Sequence, residues 1–163
     1  MATKGVPKDY HSVTPSLIIR DAAAAIEFYQ RAFGATLRGR MDGPDGKVMH
    51  AEIKIGDSVL MLGEENLEWG MKSPLSTTGV PVSLYVYVED ADKAFERAVQ
   101  AGATVRFPLE DTFWGDRFGK LTDPFGHEWG LATRVRDLTE DEINRGAEEW
   151  MANQRRAAQE AHA

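Results

Sequence analysis

The chain reads as an α+β protein built from two βαβββ modules followed by a C-terminal helix. Three observations carry that reading: an internal repeat, strand-period alternation around short turns in each copy, and a separate capped amphipathic stretch at the end. The repeat is direct. Residues 17–37, LIIRDAAAAIEFYQRAFGATL, and residues 85–105, YVYVEDADKAFERAVQAGATV, each run from a β-rich segment through an aspartate into a helix-period stretch, and each closes on Gly-Ala-Thr.

Each element has a local cause. Leu17–Ile19 and Tyr85–Val88 are short apolar runs of strand character. Asp21 and Asp90 stand where an N-cap accepts from free helix amides. Ile26, Tyr29 and Phe33 in the first copy, and Ala94, Phe95, Ala98 and Val99 in the second, form helix-period stripes that end at Gly34 and Gly102. A second strand is expected near 36–42 and 103–108. GKVMHAEIKIGDSVLML (46–62) alternates on both sides of Gly56-Asp57, and GKLTDPFGHEWGL (119–131) forms two shorter strands around DPFG. GRMDGPDGK (39–47) is a hairpin turn made by its glycines and Pro44.

The boundaries follow: one domain over 12–134, with module one at about 12–66 and module two at about 80–134. The turn-rich segment 63–80 joins them, and 138–163 is a helical extension. Thr139-Glu-Asp-Glu142 is a capping box, and Ile143, Ala147, Trp150, Met151 and Gln154 then share a helix face. That face is expected to dock on its own domain or on a neighbouring subunit, with a free recognition helix as the alternative. A module of this size is marginal alone, so the two should pack together.

Composition excludes several functions. The net charge of −7, with no basic stripe, argues against a nucleic-acid partner. The absence of cysteine removes disulfides, thiolate metal sites and thiol nucleophiles. No apolar run approaches the roughly 20 residues that span a bilayer, and MATKGVPKDYHS lacks the apolar stretch of a signal peptide. A cytoplasmic protein without membrane attachment is expected.

The paired modules, the D-x4-I-x2-Y helix, and the stretches RMDGPDGKVMHAEIKIGDSVLML and FWGDRFGKLTDPFGHEWGLAT together resemble the vicinal oxygen chelate superfamily, and most of all its PhnB-like, glyoxalase/bleomycin-resistance-type members. The resemblance spans about residues 12–134. It implies a curved mixed sheet around a cavity and a homodimer in which modules complete each curved sheet.

In metal-dependent members each module gives one ligand from its first strand and one from its last. Carried over singly, those places are Thr14, Met61, Ser83 and Gly130. None can supply the imidazole or carboxylate that such a site needs. No metal and no cofactor are therefore expected. In DPFGHEWGL, His127 reads as a solvent-side turn residue and Glu128 as an isolated carboxylate.

Alternation around Gly56-Asp57 pairs Ile55 with Ser58, Ile53 with Leu60 and Glu52 with Met61. His50, Glu52, Val59 and Met61 then face the concave side, with Thr14, Ser16 and Ile18 on strand one and Ser83, Tyr85 and Tyr87 in module two. This wall suits a small organic ligand. His50 and Glu52 form either a base with its orienting carboxylate or a rim salt link. The loop FPLEDTFWGDRFG (107–119) offers Trp114 and Arg117 as part of a lid, unless Asp116 and Arg117 pair locally to hold it.

Two functions remain open. One is metal-independent binding that sequesters an aromatic or antibiotic-like molecule, as bleomycin-resistance members do. The other is a metal-independent lyase or isomerase using His50/Glu52, or the tyrosines, for proton transfer.

Overall fold

The computed structural model describes residues 6–7 and 9–161. The first module runs β1 (Ser16–Ile19), α1 (Ala22–Phe33), β2 (Thr36–Asp42), β3 (Val48–Ile55) and β4 (Ser58–Glu64). The second repeats it as β5 (Ser83–Tyr87), α2 (Ala91–Ala101), β6 (Thr104–Asp111), β7 (Asp116–Thr122) and β8 (Glu128–Arg134), and α3 (Glu140–Glu160) follows. Each module forms a four-stranded mixed sheet, in the orders β1-β4-β3-β2 and β5-β8-β7-β6. The first strand pairs parallel with the last, and the other pairs are antiparallel. This is the α+β, two-module architecture expected from the repeat.

The caps are where the sequence puts them. Asp21 accepts from the Ala24 amide and Asp90 from the Lys93 amide. The last strand of each module adds a second acceptor at the same helix start. Glu64 takes the Asp21 and Ala22 amides, and Thr133 takes the Ala91 amide. The β3–β4 register is also as read: Ile55 opposite Ser58, Ile53 opposite Leu60, and Glu52 opposite Met61.

Each helix covers one face of its own sheet, and the two helices pack on each other. Their seam is specific. Arg97 donates to the Ala32 carbonyl at 3.0 Å, and the Phe33 and Trp129 rings lie 4.4 Å apart. Tyr29 of α1 donates its hydroxyl to buried Asp123 at 2.8 Å. The second face of each sheet is left pointing away from the helices.

Some local expectations need correction. The stretch 107–119 is no lid loop: β6 and β7 form a hairpin with a tight turn over 112–115. Pro108 is tolerated because β6 is an edge strand with register shifts around Phe107. Val59 is buried along with Leu60, so that strand does not alternate cleanly.

Candidate functional site on the open face of the second module

β7, β8 and β5 lie side by side, so their alternate residues build one surface. Asp116 stands opposite Arg134, Phe118 opposite Ala132, Lys120 opposite Gly130, and Gly130 opposite Tyr85. Period-two alternation puts Tyr85 and Tyr87 on the same side. Both are exposed, at 44% and 57%. Their hydroxyls turn inward and donate to one carboxylate oxygen, Asp116 Oδ2, at 2.7 and 3.0 Å. Asp116 is fully buried. Arg134 Nε lies 3.2 Å from its other oxygen, Oδ1, as an ion pair without hydrogen-bond alignment.

Rings fill the rest of this face. Tyr85 stacks on Phe118 at 5.0 Å and 5°, and Tyr87 lies 5.2 Å from Tyr85. Trp114, at the tip of the β6–β7 turn, donates its indole N–H to the Tyr85 hydroxyl at 3.3 Å and sits 5.7 Å from Phe118. An ion pair of Lys120 with Glu128 bounds the other end. Burial first, and the Asp116 hydrogen bond second, push the Tyr85 phenol well above its ordinary value, and Tyr87 is raised for the same reasons. Both stay protonated donors near neutral pH, which suits binding and disfavours proton abstraction.

Gly130, the family's fourth metal-ligand position, is roofed by these rings. A Cβ there would lie 2.7 Å from Phe118 Cε2 and 3.2 Å from Tyr85 Cδ2. The aromatic stack occupies the space a metal-ligating glutamate would need. Thr14, Met61 and Ser83 supply no imidazole or carboxylate either, and among the described residues no three His, Cys, Asp or Glu side chains come together. The donor set does not fit the superfamily's divalent site.

The other expected residues divide between places. His50 and Glu52 are neighbours on β3, 3.6 Å apart, with side chains 43% and 25% exposed. A hydrogen bond from Tyr10 leads the causes that hold the Glu52 carboxyl below its ordinary value, so it is a weakened base. Met61 is half-buried on β4, Ser83 is exposed at the start of β5, and Thr14 precedes β1.

Arg117 does not join the aromatic face. It points to the helix side, where Asp92 of α2 takes two hydrogen bonds at 3.1 and 2.8 Å and Asp111 lies 3.5 Å away. The expected Asp116–Arg117 pair is likewise replaced, because consecutive strand residues face opposite sides. His127 is not a solvent-side residue: it is half-buried, with Nε2 3.1 Å from the Ile18 carbonyl. Glu128 is not isolated, having Lys120 as partner. Asp116, Phe118 and Arg134 were missed, although alternation carried along DRFGKLT would have placed Asp116 and Phe118 together.

A cavity of about 1140 Å³ opens along the free edge of β5. Tyr85 and Tyr87 line it, facing the β3–β4 hairpin at Asp57 and Ser58 and the α2 cations Lys93 and Arg97.

This fold and donor set define a glyoxalase-type body without the usual metal ligands. The model of the glyoxalase/bleomycin resistance protein/dioxygenase superfamily matches residues 11–131, and the chain belongs to that superfamily. Among curated proteins it is 47% identical over 135 residues to the uncharacterized protein Rv0887c of Mycobacterium tuberculosis, covering 81% of this chain and 79% of that one. Among solved structures it resembles TioX from Micromonospora sp. ML1, at 28% identity and a TM-score of 0.59, covering 76% of this chain and 98% of TioX. A PhnB protein from Bacillus cereus shares the fold at 22% identity and a TM-score of 0.59, covering 76% of this chain and 99% of that one. No helix among the described residues is long and apolar enough to cross a membrane.

Proposed function

We propose that this protein is a metal-independent binder of a small organic molecule, sequestering a flat aromatic or antibiotic-like ligand against the open face of its second module. One observation carries the reading: two exposed tyrosines have their hydroxyls tied to a buried carboxylate, which holds both rings rigid, with Tyr85 backed on one face by Phe118. Aromatic area held in place at low entropic cost is what a planar ligand gains most from. The half-exposed His50 and the weakened base Glu52 give the lyase or isomerase reading less support.

The working form we propose is a cytoplasmic homodimer, with no nucleic-acid or membrane partner. β2 and β6 each end a sheet, and Leu37, Met41, Val105 and Phe107 stand exposed on them. Unpaired edges beside apolar side chains are surfaces that a second copy covers.

The test is a titration series with planar aromatic probes (proflavine and bleomycin among them) against the full chain. Tyr85→Ala and Trp114→Ala should each weaken the bound probe by about tenfold, the scale of a lost aromatic contact. Met61→Ala, on the first module, should weaken it less. Unchanged affinity in all three folded variants removes the ligand-face assignment.

A further inference from the structure

The turn that carries Trp114 is held from the C-terminal side of the chain. Thr112 and Asp116 close it, through hydrogen bonds of 2.8 and 2.9 Å from the Thr112 amide and hydroxyl to the Asp116 carbonyl. The segment leaving β8 then fastens it. Val135 and Arg136 amides both donate to the Gly115 carbonyl at 3.0 Å, and Arg134 donates to the Trp114 carbonyl at 2.8 Å. Three residues later the capping box of Thr139 and Glu142 starts α3.

The helix returns to the same turn. Gly146 approaches Phe113 so closely that a Cβ would lie 2.8 Å from Phe113 Cβ. One helical turn on, the Trp150 ring lies 6.1 Å from the Phe113 ring. Phe113 in turn meets Trp114 edge-on at 4.9 Å. A glycine in mid-helix is costly to helix stability, and here it permits contact with a rigid backbone-bound atom. A continuous run of rings thus leads from Trp150 through Phe113, Trp114 and Phe118 to Tyr85 and Tyr87. No residue of α3 is fully buried, and Gly146 and Trp150 bring the helix against Phe113.

We propose that α3 is a positioning element of the ligand site. Docked on Phe113 through Gly146 and Trp150, it holds Trp114 beside Tyr85, and a flat aromatic ligand on that wall binds more tightly while α3 is docked. The inference rests on the binding function proposed above. Because binding linkage is reciprocal, a bound ligand must in turn stabilise the docked helix.

The experiment uses the full chain with proflavine as probe. Gly146→Ala favours the helix itself but forces it off Phe113, and Trp150→Ala removes the ring; both should weaken proflavine by about 5-fold or more, the lower end of measured site couplings. Trp150→Phe should restore most of the affinity. Thermal midpoints report that the variants fold, and Gly146→Ala should gain helicity while losing affinity, which a merely structural helix would not do. Hydrogen exchange of the amides in 143–151 should slow when proflavine binds the unaltered chain. Loss of binding on Tyr85→Ala, with no effect of Gly146→Ala or Trp150→Ala, overturns this inference alone. Absence of saturable binding, or binding indifferent to Tyr85→Ala, overturns the function on which it rests.

Discussion

Two buried aspartates lie seven positions apart, at the start of β7 and just after its end, and each receives a tyrosine hydroxyl. Asp116 gathers Tyr85 and Tyr87 beside Arg134 and shapes the open face. Asp123 gathers four donors: the Phe125 and His127 amides at 2.9 Å on one oxygen, and Tyr29 at 2.8 Å with the Trp129 indole at 2.9 Å on the other. A buried charge is tolerable when its lone pairs are filled this way. Since Tyr29 comes from the first module, Asp123 also locks the modules together. Asp123→Asn keeps the shape but turns an amide N–H₂ or a carbonyl toward donors that need a carboxylate. It should cost about 2–3 kcal/mol, the penalty for leaving a buried donor unpaired, and Tyr29→Phe about 2 kcal/mol. Urea unfolding with an unchanged slope measures both; a loss below about 0.5 kcal/mol for Asp123→Asn would mean the lock lies elsewhere.

At the scale of elements, one carboxylate gathers several of the ties that hold the segment between the modules. Glu65 accepts from the Ser73 amide at 2.7 Å and from Arg20 at 3.3 Å, while Arg20 also bonds Ser76. Hydrogen bonding, from Ser76 first and the Ser73 amide next, lowers its carboxyl to about 2. A depressed folded value means the contribution is complete above the unfolded value near 4.5 and is lost as pH falls toward about 2. Glu65→Gln should therefore be less stable than the unaltered chain at pH 7, with the gap closing between about pH 4.5 and pH 2. A gap of constant size over that range would show that the carboxylate's charge is not what holds the segment. The anchors of this segment come from Arg20, just after β1, and from its own later residues, so its composition identified it as a connection and not as a docked one.

For the whole molecule, the two helices α1 and α2 pack on each other, while the edge strands β2 and β6 and the end of α3 carry exposed apolar side chains among the described residues. Trp150 and Met151 are 48% and 43% exposed in the single chain. Burying such area is worth roughly 25 cal/mol per Å², and two-fold dimers are the commonest soluble assemblies. In the dimer we propose, α3 keeps its Phe113 contact within the chain and offers the exposed remainder of Trp150 and Met151 to the second copy. Removing residues 138–163 should shift sedimentation toward monomer or aggregate, and the melting temperature of the full chain should rise with concentration. An unperturbed dimer after truncation would assign the interface to the sheet edges alone.

By itself the sequence determined what is encoded over a few neighbouring residues. The Asp21 and Asp90 caps, the Gly56-Asp57 register, the Thr139–Glu142 box and the duplicated module each depend on contacts inside one element or one turn. Those contacts have a fixed spacing, so pattern reveals them. That Thr14, Met61, Ser83 and Gly130 carry no imidazole or carboxylate was legible only through the family resemblance that marks those positions. Tertiary structure alone decided which chemistry stands there instead. Asp116 receives its tyrosines from 29 and 31 positions away, and His127 reaches the Ile18 carbonyl across 109. Alternation alone sets Arg117 opposite to Asp116, but its partner there, Asp92 of α2, lies 25 positions back. Such partners are chosen by which strands and helices become neighbours, and a local pattern carries no record of that choice.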